Sequence, residues 1–388
     1  MQSFFQHLRL YVASAAGLIL ILAILHDAFE VMLLPRRVKS KMRIVRYFFD
    51  ATWAIWRSIG RRLSERARSH FLGFYGPLSL VVLLIFWAAG LILGFGSLFW
   101  ALNSASSSPW EFLQRVYFSG VTFFTIGYGD LVPSGPWAKF LSVLEAGTGL
   151  GFIAMVIGYL PVMYQLFSRR EAQVIVLDSV AGSPPTAGTL LSRHAEGHSL
   201  NSLDAFLLRW QQWAAELLES QLSYPMLAYY RSQHDNQSWL AALTSVMDAS
   251  AIILAGLEGI STFQARLTFA TARLAVIEMG RVLSASPRVL EEDRLPSGAF
   301  RDLTELLSSC NLRFVEDEAE ERLAAFRSTY EPFLRGIADH LLLALPRWVP
   351  DPEQVDNWVN SPRGRTAQRL IETVEAEPES EPERQRGE

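Results

Sequence analysis

Apolar positions in this chain gather into three long runs in its first half and then thin into helical stripes. The runs are residues 11–25 ("YVASAAGLILILAIL"), 77–100 ("PLSLVVLLIFWAAGLILGFGSLFW") and 140–167 ("FLSVLEAGTGLGFIAMVIGYLPVMYQLF"). About 20 helical residues cross a ~30 Å hydrocarbon core, so the second and third are predicted membrane spans. The first reaches that length only by carrying His26, Asp27 and Glu30 into or close to the membrane, up to Leu34. After residue 170 no comparable run is expected. Instead Leu203, Phe206, Leu207, Trp210, Trp213, Leu217 and Leu218 recur at three and four, the spacing of one buried helix face. Further helices fit 236–257, 261–284, 297–311 and 317–345, the last interrupted at Pro332. Residues 171–200 read as a linker: "AQVIVLD" is too brief for a sheet of its own, and "SVAGSPPTAG" is rich in turn formers. The predicted fold is all-α. It has an N-terminal span (1–35), an interfacial segment (36–70), a two-span membrane domain (71–170), a linker, a helical domain at 201–348 and a tail at 349–388. The tail ends in the acidic, Pro-containing "EAEPESEPERQRGE", a composition that cannot bury a core.

Charge then orients the spans. The formal net charge of −4 hides a block at 36–70 that holds eleven Lys/Arg against Asp50 and Glu65. Lying between two spans, this block follows the positive-inside rule more simply than it suggests nucleic acid. The expected topology is a multi-pass protein of the cell membrane with an extracytoplasmic N-terminus and a cytoplasmic C-terminal domain. Cys310 is the single cysteine, which excludes an intramolecular disulfide and suits a reducing compartment. The first run ends in "PRR" and lacks a basic n-region beyond Arg9, so it reads as an uncleaved span.

Residues 101–139, between the second and third spans, are too few for a domain and too many for a hairpin turn. Ser108 suits a cap, Pro109 the first helical position, and Glu111 stands three residues after the cap. A helix from there to about Thr122 is roughly 20 Å long at 1.5 Å per residue, too short to span. A half-helix that returns as extended backbone is tolerated only when buried in protein or lining a water-filled path. The returning stretch is "TFFTIGYGDLVP". Carbonyls that all point to one axis need alternating backbone geometry, and Gly127 and Gly129 accept it. Thr125 adds a hydroxyl below, and Tyr128 is expected to point away and wedge the loop against aromatics. Four such loops would stack rings of oxygens that replace a cation's hydration shell.

Thr125-Ile126-Gly127-Tyr128-Gly129-Asp130 resembles the selectivity filter of potassium channels, and its setting resembles the two-transmembrane pore domain of the prokaryotic members. The resemblance covers residues 71–170. It implies K+ sites at Thr125, Ile126, Gly127 and Tyr128, with Gly129 completing the filter. It also implies that Asp130 bonds to the pore helix, with Tyr117 as a partner. Where some such channels hold an acid behind the filter, this chain has Val121. Glu145, alone in the third apolar run, then either braces the filter or Thr122 from the inner helix or is a static packing residue. Gly149 falls where the inner helix of the family often bends, although close helix packing explains such a glycine as well. On the same stripe Ala146, Leu150, Ile153, Ile157 and Pro161 are expected to face an uncharged cavity. One pore segment per chain requires four chains, so a homotetramer is implied.

The remaining charges are less specific. Asp27 and Glu30 share a helix face and either pair with Arg36, Arg37 or another basic residue or, with His26, sense pH. The first span has no arginines at three-residue spacing, so a voltage sensor is not expected. Met42, Val45, Phe49, Trp53 and Trp56 line one face of 42–60, which suits a helix lying on membrane lipids, anionic ones included. The Rossmann-like regulatory signature of many prokaryotic potassium channels is absent. His194 and His198 are four apart without a third ligand, and no enzymatic motif, cofactor site or small-molecule site is evident beyond K+ as permeant ion. The reading is a tetrameric potassium channel assembled or gated by its helical domain. Its rivals are a membrane-anchored scaffold with a vestigial pore and a poorly selective cation channel.

Overall fold

In a computed structural model, residues 2–32, 44–103, 109–196, 200–232, 236–289, 293–315 and 318–351 are described. Arg36, Arg37, Met42, Ser108, His198 and most of the acidic tail lie outside them. Every regular element among the described residues is helical, and the chain is an all-α membrane protein. It divides into two compact units: residues 1–168 with 219–231, and residues 169–218 with 232–388.

The first unit begins with α1 (Gln2–Met32), α2 (Ile44–Gly60), α3 (Glu65–Gly73) and α4 (Tyr75–Asn103). The apolar stretch of α1 runs from Leu10 to Met32. Helix α1 crosses α4 at glycines: a Cβ on Gly17 would stand 2.7 Å from the Gly94 carbonyl oxygen, and one on Gly90 would strike Ile24. Small residues let two membrane helices approach to backbone contact. Asp27 is buried at this seam, where it accepts Trp87 Nε1–H (3.0 Å) and the Val45 N–H at the start of α2 (3.4 Å). Glu30 is also buried, 4.0 Å from His26. Asp27→Ala would strand the fully buried Trp87 donor and is expected to cost about 1–3 kcal/mol, measured as thermal unfolding in detergent. Asp27→Asn, which keeps an acceptor, should cost less.

Helix α2 corrects the expectation of a face laid on lipid. Phe49 and Trp53 are buried against Tyr75 and Tyr229, with ring centroids 4.7 Å apart for Trp53–Tyr75 and 5.9 Å for Phe49–Tyr229. Trp56 stacks on Phe71 and donates to its carbonyl (3.1 Å). Aromatic protein surface has taken the place assigned to lipid. Tyr229 comes from residues 219–231, which pack with this unit although the sequence reading placed them inside the C-terminal domain. They hold the end of α8 (Leu200–Ser223) and a 3-10 turn, Pro225–Tyr229. The Tyr230 ring lies over Gly76, where a Cβ would come within 2.7 Å.

Two further helices complete this unit, α5 (Pro109–Phe123) and the membrane part of α6 (Pro136–Ala181). Helix α6 runs unbroken through Gly149 and Pro161 and on past residue 170. The stretch read as linker is therefore mostly helical: after a turn at 182–186 comes α7 (Ala187–Glu196), with Ala187, Leu190 and Leu191 fully buried. Gly182, at φ +83°, ends α6, and Thr186 Oγ1 accepts the Thr189 N–H (3.1 Å) to start α7. Turn chemistry was legible there, but the helices on either side were not, because their apolar positions match a short strand equally well.

The second unit packs α7, most of α8, α10 (Thr262–Val282), α12 (Ala319–Ser328) and α13 (Glu331–Leu341) with α9 (Trp239–Gly256) and α11 (Ser297–Ser309). Helix α9 is itself long and apolar enough to cross a membrane, contrary to the expectation that no such run follows residue 170. It is buried on nearly every side by its own unit, as a helix apolar all round must be when it forms a core. Ser238 caps it, accepting the Leu240 and Ala241 N–H groups. One charge sits in it: Asp248, fully buried, accepts Arg294 (2.6 Å) and Tyr330 (2.5 Å). Glu331 accepts Arg294 and Arg327, 3.0 Å each, and Trp348 lies 5.4 Å from both guanidiniums. Burial alone would lower Arg294, but the neighbouring Asp248 carboxylate outweighs it and holds the guanidinium above its ordinary value. His194 is buried, its Nδ1 2.8 Å from the Leu190 carbonyl and its ring against Phe206.

Candidate ion-conduction site

The site is built on α5, 15 residues long and too short to cross a membrane. Pro109 opens it and Glu111 lies in its first turn. Phe118 packs edge-on against Phe99 and Phe112 against Trp100, which seats α5 on α4. The helix ends in a Schellman motif: Ile126 N–H donates to the Val121 carbonyl (2.9 Å) and Thr125 N–H to the Thr122 carbonyl (3.0 Å). The left-handed residue of that motif is Thr125, at φ +55°. Glycine usually stands there, and a residue with a side chain costs about 1–2 kcal/mol more. The strained position therefore carries a hydroxyl at the foot of the loop.

Beyond it positive φ recurs at Gly127 (+65°) and Gly129 (+80°) and at neither Ile126 nor Tyr128. Glycine accepts this alternation without steric cost. Asp130 accepts the Tyr117 hydroxyl (3.0 Å) and so ties the far end of the loop back to α5. Among the described residues the loop has no cover from its own chain. Nothing lies within 4 Å of where a Cβ on Gly127 or Gly129 would point, and Ile126 and Tyr128 are 50% and 69% exposed. The aromatic packing expected of Tyr128 is not made among the described residues of one chain. Thr122 is half-buried, and Val121 is buried.

Helix α6 lies against α5 through Glu145, Gly149 and Phe152, the last with its ring 5.9 Å from that of Phe123. Gly149 passes so close that an added Cβ would sit 1.9 Å from the Phe123 carbonyl oxygen. Gly147, Gly151 and Gly158 meet nothing within 4 Å. Of the stripe expected to line a cavity, Leu150 and Ile157 are well exposed, Pro161 is exposed, and Ala146 and Ile153 are half-buried. Glu145 is fully buried, and its partner is Ser119 rather than Thr122. Ser119 was missed from the sequence. The available signal was its spacing of four from Phe123, which puts both on one face of α5.

Comparison with known proteins meets this geometry at the same residues. Residues 80–165, from within α4 to within α6, match a family model described as "Ion channel". The match is to an ion-channel domain. Over 217 residues, 52% of this chain, it is 24% identical to the uncharacterized membrane protein YdjJ of Bacillus subtilis. It is 48% identical over 42 residues to two-pore potassium channel 4 of Arabidopsis thaliana, 11% of this chain. It is 35% identical over 95 residues to the inward rectifier potassium channel Kirbac3.1 of Paramagnetospirillum magnetotacticum, 23% of this chain. These matches span 60%, 15% and 30% of the relatives' own lengths, all less than two thirds. No solved structure matches the chain.

Proposed function

We propose that the chain is one quarter of a potassium-selective channel, with Thr125, Ile126, Gly127, Tyr128 and Gly129 forming the filter of a homotetramer. One observation carries the reading: a backbone of alternating hand, pinned at Thr125 and Asp130, that the described residues of its own chain leave uncovered. Rings of carbonyl oxygens replace the hydration shell of a cation only when several copies converge. The likeness to two proteins named as potassium channels supports K+ as the ion. Apolar surface on α5 (Trp110, Leu113) and α6 (Val143, Leu150, Ile157) is exposed in the single chain. That surface suits neighbouring subunits, the cavity and membrane lipid. In this reading the basic block faces the cytoplasm, the C-terminal unit lies on that side, and it assembles or gates the pore. Passive conduction needs no enzymatic chemistry.

The purified protein in liposomes should set a reversal potential that follows the potassium gradient, and Gly127→Ala, at φ +65°, should abolish that selectivity. Equal sodium and potassium permeability in the parent protein would overturn the selective reading. An assembled protein that passes no ion would favour a scaffold with a vestigial pore.

A further inference from the structure

Glu145 is an acid in an otherwise uncharged apolar run, and the filter geometry alone gives it no role. Its surroundings do. Ser119 and Glu145 are both fully buried, and the Ser119 hydroxyl meets both Glu145 Oε1 and the Ile92 carbonyl of α4 (2.8 Å). One turn further along each helix, the Phe123 carbonyl lies over Gly149. Ser119–Glu145 and Phe123–Gly149 are thus two rungs between α5 and α6, each step four residues. Toward α4, Ile92–Ser119 and Gly96–Val116 form a second pair of rungs, running in the opposite sense, with a Cβ on Gly96 placed 2.9 Å from Val116 Cα. A single contact lets a helix pivot, whereas two contacts one turn apart set its rotation and its slide together. Ser119 is the residue common to both pairs, one turn before the helix end that leads into Thr125.

We propose that Ser119 and Glu145 are positioning residues for the filter, with Glu145 held as the neutral acid that donates to Ser119. The inference rests on the channel reading above. The proton count supports it. Ser119 has one hydroxyl proton and two acceptors at its oxygen. If Glu145 supplies the second proton, Ser119 donates to Ile92 and each short contact contains one hydrogen. A carboxylate would instead be a buried charge with a single hydrogen bond, since Glu145 Oε2 is buried with no partner among the described residues. An uncompensated buried charge is costly in any protein, and more so at membrane depth.

The test compares the full-length parent protein with Ser119→Ala, Glu145→Gln and Glu145→Leu in potassium- and sodium-loaded liposomes. Glu145→Gln keeps a donor for Ser119 and should leave flux and selectivity near those of the parent. Ser119→Ala and Glu145→Leu should lower the potassium-to-sodium permeability ratio by about tenfold, the scale of one lost buried hydrogen bond. A parent protein that carries no potassium sinks the channel reading itself. A selective parent with an equally selective Ser119→Ala sinks the positioning role alone. Infrared difference spectra of parent against Glu145→Gln decide the proton, even where Ser119→Ala does not fold. The carbonyl band of a protonated carboxyl should be lost in the variant, and a carboxylate band lost in its place overturns the neutral acid.

Discussion

Gly149→Ala is expected to abolish potassium flux and to lower the thermal stability of the membrane unit, while Gly151→Ala leaves stability unchanged or slightly raised. The added methyl at 149 would have to occupy a point 1.9 Å from the Phe123 oxygen and 2.8 Å from its carbonyl carbon. Both are backbone atoms, so no rotamer relieves the overlap, and α5 and α6 must separate. Overpacking of a tight core costs about 1–3 kcal/mol, and a collision with backbone belongs at the upper end. At Gly151 no described atom beyond its own helix turn lies within 4 Å of the added methyl, and replacing glycine by alanine in a helix gains up to about 1 kcal/mol. Thermal unfolding in detergent, run beside the flux assay, separates two explanations of Gly149. A packing glycine loses stability and flux together. A pure hinge would keep its melting temperature and change only the open fraction. Helix α6 passes through 149 without a break, and the close approach to Phe123 is reason enough for glycine there.

Asp248→Ala should destabilise the C-terminal unit by about 3–5 kcal/mol, the usual cost of breaking a buried ion pair by removing one partner. Asp248 is the acceptor for both Arg294 and Tyr330 from within the central helix. Without it Arg294 keeps Glu331 and the Pro346 carbonyl (2.9 Å), but loses its shortest bond. The measurement is the melting temperature of the full chain; a loss below about 1 kcal/mol would mean the cluster is solvated and its geometry unimportant. Acid should loosen the same region. Burial would raise Asp293, but hydrogen bonding to Arg327 outweighs it and holds the carboxyl below the usual aspartate range. A depressed value gives stability that is complete above the ordinary range and is lost as pH falls through the lowered one. Because Asp293 is half exposed, solvent screening keeps its share small.

Much of the helical framework was legible because long-range order was not needed to read it. Runs of apolar residues marked α1, α4 and the upper part of α6, and Pro109 with Glu111 marked the start of the short helix. The stripes of α10 and α11 placed those helices within a few residues of their ends. The misreadings share one cause. The face of α2 that carries Phe49 and Trp53 looks the same whether lipid or protein covers it. Residues 171–181 look like a strand until they are seen as the continuation of α6. Helix α9 carries the composition of a span and is a core helix, because three or four neighbours supply the apolar surroundings that lipid would otherwise provide. Glycines at 147, 149, 151 and 158 are alike as letters, yet one touches backbone and three face open space.

The order of amino acids alone determined where most of the helices lie, that three apolar runs in the first half suit a membrane, and that a short helix precedes a glycine-alternating loop. These follow from local backbone preference and from periodicity, which act over a few residues. Tertiary structure decided what each helix touches. It brought Ser119 of α5 against Glu145 of α6 and Ile92 of α4, set Asp27 under Trp87, and joined Asp248 to Arg294 and Tyr330 across more than 40 residues of chain. A buried polar group must find its partner somewhere, but one-dimensional order does not say which partner, because the choice is made only when helices close on one another.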